Sequence, residues 1–260
     1  MKKYAYYHLY LTDDTGVWSS LFLDQMYLII NSGLYTELEK LYVNCIGSPE
    51  QINLFVGLCT QFNKIQVLNC CETKLNDSQM SSYHLDNYNP HDETITMNEL
   101  QIHAKREDAY FLYFHTKGVT ATSRMKQTGD FSRFINCYNW RKFLEWGCIE
   151  NWKICIDQLK THSCAGVNLC EWPSPHYSGT MFWTKSSHVN KLPNIMEDDW
   201  WINLIRSTDL RTWNSNRLKA EMWIGSICNS DFYTLKNAPF PPPTSNLSAT
   251  YFPRSLYQEG

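Results

Sequence analysis

The stretch that most constrains this chain is Ala109 to Thr122, AYFLYFHTKGVTAT. An aromatic and aliphatic run with no polar alternation leads straight into His115-Thr116-Lys117-Gly118. Such a run predicts a strand buried on both faces, the kind found in sheets covered by helices on each side. In open α/β sheets ligands bind in the crevice beyond the carboxyl ends of the strands. The turn would present an imidazole, a hydroxyl and an ammonium to that crevice. Gly118 allows close backbone approach or a positive φ, and Lys117 supplies a point charge suited to phosphate. An ordinary solvated βα turn would carry the same residues, and spacing alone does not choose between the two.

The flanking sequence supplies the rest of such a sheet. Tyr4 to Leu11 reads as a first strand, and the turn cluster at 12–16 can cap a helix. Trp18, Leu21, Phe22, Gln25, Met26 and Ile29 then fall at helical spacing over 17–32, with Gly33 as the stop. Strands over 41–46 and 65–69 flank a helix over 49–62. The alternation of strand and helix predicts a parallel sheet with crossover helices. Residues 72–95 read as a loop or lid, and 96–105 as a short helix. Beyond the central strand, 120–130 reads as a mobile segment carrying Arg124 and Lys126. A long amphipathic helix follows over 140–159, then a strand over 164–170. A proline-stiffened turn over 173–179 leads to a strand over 180–184, and a short helix over 186–191 closes at Pro193. Asp198 and Asp199 read as a cap pair before WWINLI, and 220–225 as a helical turn. Three consecutive prolines after Ala238 predict an extended surface tail, giving one domain over 1–237 and a tail over 238–260.

Composition narrows the partners. A net charge of −3 over 260 residues gives no basic excess, which argues against a nucleic-acid partner. The 10 cysteines contain no CxxC pair, which argues against structural zinc. They read as reduced, small core residues of a cytosolic protein. Asn76 and Asn246 match the glycan sequon, a pattern short enough to arise by chance. No run approaches a membrane span and no leader opens the chain, so the expected location is cytoplasmic.

Taken in order, YFLYFHTKGVT, a helix containing Trp-Arg-x-x-Leu, HYSGTMFWTKSSHVNKLP and AEMWIG resemble a GT-A-type glycosyltransferase-like family of bacteria and large DNA viruses. The match covers roughly residues 4 to 230 and is strongest at 115–118 and 176–183. Thr180 stands where the family pattern has Asn, and Phe182 where it has Trp. The resemblance implies a Rossmann-like GT-A fold, α/β, with a mostly parallel mixed sheet flanked by helices. It implies a sugar-nucleotide-dependent transferase with a nucleotide-diphosphate sugar as donor and a glycan or glycoprotein as acceptor. Many such enzymes hold a divalent metal on an Asp-x-Asp at the end of the fourth strand. This chain has no Asp-x-Asp, and His115-Thr116-Lys117 occupies that place. No cofactor is therefore certain. Mn²⁺ or Mg²⁺ stays open, with His115 as the ligand and Mn²⁺ better suited to imidazole. Lys117, the amides around Gly118, and Arg124 or Lys126 are the metal-free means of stabilising the leaving diphosphate.

The resemblance also orders the candidate residues. Glu221 follows HYSGTMFW in the place of the catalytic base; a surface glutamate near a helix start would look the same. Asp198 and Asp199 are the runner-up acids. His8 and Tyr10 end the first strand, where the donor base and ribose would lie, with one of the two pointing into the core. Asn44 ends the second strand and would read the base's edge or cap a turn. His176, Ser178 and Gly179 form the acceptor-side wall. Trp183, Trp200, Trp201 and Trp223 read as core, with one available to stack on a sugar. Two other readings stay open. One is a GT-A relative that binds nucleotide sugar or glycan without turnover. The other, a nucleotidyltransferase, lacks the Gly-rich basic loop after the first strand.

Overall fold

The computed structural model describes residues 1–72, 93–129, 131–208, 216–227, 231–238 and 253–258. Residues 73–92 of the lid expected over 72–95, both sequons and most of the proline-rich tail lie outside them; the expected lid's two ends are instead the end of the strand Ile65–Glu72 and the start of the helix Thr94–Ala104. A seven-stranded sheet runs through the molecule. Its strands are β1 (Lys2–Tyr10), β2 (Lys40–Gly47), β3 (Ile65–Glu72), β4 (Ala109–His115), β5 (Cys164–Gly166), β8 (Phe182–Lys185) and β9 (Phe232–Thr234), in the order β3-β2-β1-β4-β8-β5-β9. A separate hairpin joins β6 (Leu169–Cys170) to β7 (His176–Tyr177).

The first four strands in that order are parallel, and β8 runs antiparallel to both β4 and β5. Both faces are covered, which is why β4 carries no alternation. Leu112, Phe114 and Trp183 face a core with the helix Thr15–Asn31 and the helix Pro49–Cys59. Phe111, Tyr113 and Phe182 face a second core with the helix Thr94–Ala104. Burying each large side chain of β4 contributes about 2 kcal/mol. The fold is thus the mixed α/β, Rossmann-like sheet expected. The first helix buries Val17, Trp18, Leu21, Phe22, Gln25, Met26 and Ile29, with the Asp14 carboxylate accepting from the Gly16 amide as its cap.

Four sequence readings are corrected. The segment expected to be mobile over 120–130 is helical up to Thr128: a helix covers Val119–Thr128, and Lys126 pairs with Asp14 at 2.7 Å. The helix expected over 140–159 begins at Phe131 and changes to a π-helical turn at Trp146–Glu150 before resuming at Trp152–Gln158. Gly147 is the reason the turn can pack so closely, since a Cβ there would fall 2.2 Å from Val167 Cγ1. The strand expected over 164–170 is interrupted by Asn168 at φ 60°. The strand expected from Thr180 starts at Phe182, because Gly179 and Thr180 sit at φ 100° and 56°.

At the far end of the chain, Tyr257 is buried against Phe143 and Trp146 rather than lying on the surface. No described helix is long and apolar enough to cross a membrane.

Candidate functional site

Sequence order reverses between β1 and β4. The chain proceeds outward from β1 to β2 and β3, then returns to place β4 on the other side of β1. That reversal is the topological switch point where open α/β sheets form their ligand crevice. The strands reach it in register, with His8 beside His115, Asn44 beside His8, and Asn69 beside Asn44. A bulge between Val43 and Asn44 brings the two asparagines level. Four polar side chains therefore form a row across the strand ends, under the first turn of the helix Thr94–Ala104.

The row is knitted by side-chain hydrogen bonds. Asn69 Nδ2 donates to Asn44 Oδ1 at 3.1 Å and to Glu99 Oε1 at 3.3 Å. Asn44 Nδ2 donates to Thr96 Oγ1 at 3.1 Å, and the Thr96 hydroxyl lies 2.9 Å from His8 Nδ1. A hydroxyl that accepts from Asn44 can donate to His8 only when the imidazole is neutral. Burial favours the same state: it lowers the His8 pKa to about 4, with Glu93 acting in the opposite sense and His115 in the same one. Of the first-strand pair, His8 is the buried residue and Tyr10 is half-buried. Asn44 is buried too, and both ends of its amide are engaged within the row.

His115 continues the row toward the mixed half of the sheet. Its Nδ1 lies 3.3 Å from Glu93 Oε1 and its Nε2 lies 2.9 Å from the Gly179 carbonyl. Glu93 Oε2 accepts from the Tyr113 hydroxyl at 2.9 Å. Both ring nitrogens thus face acceptors, a setting the imidazolium satisfies fully. The Gly179 amide in turn donates to Glu221 Oε1 at 2.7 Å. A single residue, Gly179, therefore joins the candidate base to the end of β4, through its amide on one side and its carbonyl on the other.

The turn itself is built from backbone. The Thr116 amide donates to the His8 carbonyl at 3.2 Å, and Thr116 Oγ1 accepts from the Tyr10 amide at 3.0 Å. Gly118 takes φ 83° at the start of the helix Val119–Thr128, and a Cβ there would meet Cys137 Cβ at 3.1 Å. Lys117 is 6% exposed, and its ammonium lies 3.9 Å from the centroid of the Trp140 ring. Trp140 Nε1 is buried with no hydrogen-bond partner among the described residues. Gly179 packs on the same indole, where a Cβ would fall 2.8 Å from Nε1. Trp140 thus lies between the turn at 115–118 and the loop carrying Gly179.

The structure brings His8, Asn44, His115, Thr116, Lys117, Gly118, Gly179 and Glu221 into one connected region. His176 is buried with Nδ1 2.7 Å from the Ser174 carbonyl, and Ser178 pairs through its backbone with Asn168. Asp198 occupies the cap position through its carbonyl, which accepts from the Ile202 amide at 2.8 Å; its carboxylate instead pairs with Lys219 at 2.6 Å. Trp183, Trp201 and Trp223 are buried, and Trp200 is half-buried beside Lys219. Sequence reading missed Glu93, Thr96, Asn69 and Trp140. Of these, only Trp140 carried a signal, as the first residue of Trp-Arg-x-x-Leu.

Among the described residues, no group of three or more His, Cys, Asp or Glu is placed to hold a metal ion. A metal on His115 would replace its direct contact with Glu93 or with the Gly179 carbonyl, whose oxygens are the neighbouring candidate ligands. An open cleft of about 460 Å³ lies lower on the same sheet face, lined by Tyr6, Tyr42, Gln66, Glu99, His103 and Arg106. It shares Glu99 with the polar row.

A family model described as a domain of unknown function (DUF8361) matches residues 6–230. No curated protein matches the sequence. Among solved structures, the chain is similar to the crystal structure of 4-diphosphocytidyl-2C-methyl-D-erythritol synthase from Anaerococcus prevotii DSM 20548. The identity is 6%, the match covers 95% of each chain, and the TM-score is 0.35. A superposition that loose carries no argument about chemistry.

Proposed function

The chain belongs to the DUF8361 family, and we propose that it is a glycosyltransferase moving a sugar from a nucleotide-diphosphate donor to a hydroxyl of a glycan or glycoconjugate, with inversion. The observation that carries this reading is the chain Glu221–Gly179–His115. It sets a carboxylate at the carboxyl end of β4, on the peptide next to the indole that holds Lys117.

On this reading the donor diphosphate lies against the turn at 116–118. Bond cleavage builds negative charge on the leaving phosphate oxygen. Lys117 and the amides at the start of the helix Val119–Thr128 offset it. The acceptor oxygen attacks the anomeric carbon from the opposite side and its proton passes to Glu221. The Gly179 amide orients the carboxylate, and His115 orients Gly179. His8, Asn44 and Asn69 act as positioning residues, since their polar atoms bond within the row. Lys117 and the helix start could serve without a metal; Mn²⁺ or Mg²⁺ as an added cofactor is part of the test.

A second reading, a nucleotide-sugar or glycan binding protein without turnover, rests on the burial of Lys117 against Trp140. A panel of nucleotide sugars, with and without Mn²⁺, separates the two. Thermal shift scores binding, and slow release of nucleoside diphosphate scores turnover. Shift with release supports the transferase. Shift without release, in the presence of candidate acceptors, supports the binding protein. No shift from any nucleotide sugar overturns the transferase, and no shift from the candidate glycan acceptors either overturns the binding protein as well.

A further inference from the structure

Nine cysteines fall among the described residues, and all are free thiols. Most of the thiols that take part in hydrogen bonds bond to oxygen. Cys148 Sγ faces the Met181 carbonyl, Cys155 Sγ the Gly147 carbonyl, Cys164 Sγ the Thr184 hydroxyl and Cys170 Sγ the Trp172 carbonyl. Cys45 and Cys70 differ. They are register partners on β2 and β3, and their sulfurs lie 3.5 Å apart. Neighbouring strands hold paired Cα atoms about 5 Å apart, inside the ordinary range for a disulfide. The bulge that levels Asn44 with Asn69 is also what levels these two residues. Cys45 is buried and Cys70 is exposed, contrary to the expectation that all the cysteines are core residues.

We propose that Cys45 and Cys70 are a modification site, a dithiol that closes to a cross-strand disulfide by exchange with a low-molecular-weight disulfide such as glutathione disulfide. Cys70 is the entry point because it is exposed. Its thiolate attacks one sulfur of glutathione disulfide, forming a mixed disulfide and releasing one glutathione thiolate, which takes up a proton. Cys45 then gives its proton to solvent, and its thiolate attacks Cys70 Sγ. The second glutathione leaves as thiolate and is protonated. Two cysteine thiols are oxidised by two electrons in total, and one glutathione disulfide is reduced to two glutathione thiols. Burial and the neighbouring Cys70 raise the Cys45 pKa, so the closing step is the slower one.

Two other thiols could compete. Cys59, at the end of the helix Pro49–Cys59, is buried near Cys70, with its pKa pushed up to about 12 mainly by burial. Cys71 follows Cys70 on an extended strand, so its side chain points to the opposite face. The disulfide pins the edge strand β3 to β2 one residue beyond the Asn44–Asn69 bond, fixing the register on which the polar row depends.

The test incubates the folded full chain with glutathione disulfide, blocks remaining thiols, and maps linked peptides by mass spectrometry without reduction. The expected result is a Cys45–Cys70 linkage within one chain, reversed by reduced glutathione. In Cys45→Ser, glutathione should stay on Cys70; in Cys59→Ser, the Cys45–Cys70 linkage should form unchanged. Circular dichroism checks that both variants fold. Glutathione remaining on Cys70 in the unsubstituted chain, a Cys59–Cys70 or Cys70–Cys71 linkage, or no thiol lost would each overturn the proposal.

Discussion

The two halves of the sheet are built differently. The parallel half, β3-β2-β1-β4, is made of long strands joined in sequence by crossover helices, and its register is continuous apart from one bulge. The mixed half, β8-β5-β9, has strands of four, three and three residues. There, β5 must wait for β9 from much later in the chain. All the non-glycine positive-φ residues among the described ones, Asn168 and Thr180, belong to the mixed half. The parallel half therefore sets a platform with little choice of geometry, and the mixed half reaches over it with a strained loop. The site lies on the seam, where β4 of one half meets β8 of the other. On the proposed mechanism the platform holds phosphate and the strained loop places the base. The halves should therefore fail in different ways.

The largest expected effect is in the mixed half. Glu221→Gln keeps the bond from the Gly179 amide but cannot take up the acceptor proton as a carboxylate does. General-base catalysis contributes about 10²- to 10⁴-fold, so transfer should fall by at least about 100-fold while donor affinity stays unchanged. Asp199→Asn is the cleaner control, because Asp198→Asn would leave the buried Lys219 ammonium without its carboxylate. Transfer at near the normal rate in Glu221→Gln, measured with the same donor and acceptor, breaks the division of labour. It would move the base elsewhere.

The next effect belongs to the parallel half and is read as stability. The unfolded chain protonates His8 as pH falls through the ordinary value of 6.5, whereas the folded chain resists until about 4. The stability His8 confers is complete above pH 6.5, is lost progressively down to about 4, and falls no further below that. Its full extent is about 3 kcal/mol. His8→Gln keeps a partner for Thr96 and should flatten the curve of unfolding free energy against pH in that window. His188, buried in the mixed half, also has a lowered pKa, and its share of the slope should survive in the variant. Parallel curves for the two proteins would show that the row tolerates a charge at His8.

The same contrast explains what could be read from the sequence. In the parallel half, strand, turn and helix lie next to one another, so local pattern suffices: the apolar run leading into His115 is β4, which also takes in His115, and all six residues expected on the inner face of the first helix are buried, with Val17 added. The unbroken apolar run of β4 announced a sheet covered on both faces. The mixed half depends on contacts between distant segments. Nothing near Asn168 marks the break between β5 and β6, and no local pattern marks the π-helical turn that lets Gly147 pack on Val167. The site divides the same way. The HTKG turn was legible because a strand end points at it. Glu93 was not, because its link to His115 crosses from a helix start to a neighbouring strand. Asn69 was not, because its pairing with Asn44 depends on a bulge.

A smaller effect tests the platform's phosphate site. Lys117→Met preserves most of the stem that packs on Trp140 while removing the charge. Binding of a nucleoside diphosphate should weaken about tenfold, or about 1.4 kcal/mol, while binding of the free nucleoside stays the same. Equal weakening of both ligands would point to disturbed packing around Trp140, and no weakening of either would take Lys117 out of the phosphate site.

The smallest effect returns to the mixed half and measures its strain. Thr180 sits at φ 56° and is buried, with its amide donating to the Tyr177 carbonyl at 2.9 Å. A β-branched residue is poorly suited to the left-handed region, whereas Asn enters it readily. Thr180→Asn should therefore raise unfolding free energy by about 1 kcal/mol, read from denaturant midpoints with an unchanged slope. The same substitution in a rigid, unstrained loop would be neutral. If stability rises and transfer is unchanged, the strain at Thr180 is incidental to the reaction. If stability rises while transfer falls, the strained loop sets where Gly179 holds Glu221. A loss of stability would show instead that the Thr180 side chain packs well enough to outweigh its backbone, and the contrast in strain between the two halves would not hold at this residue.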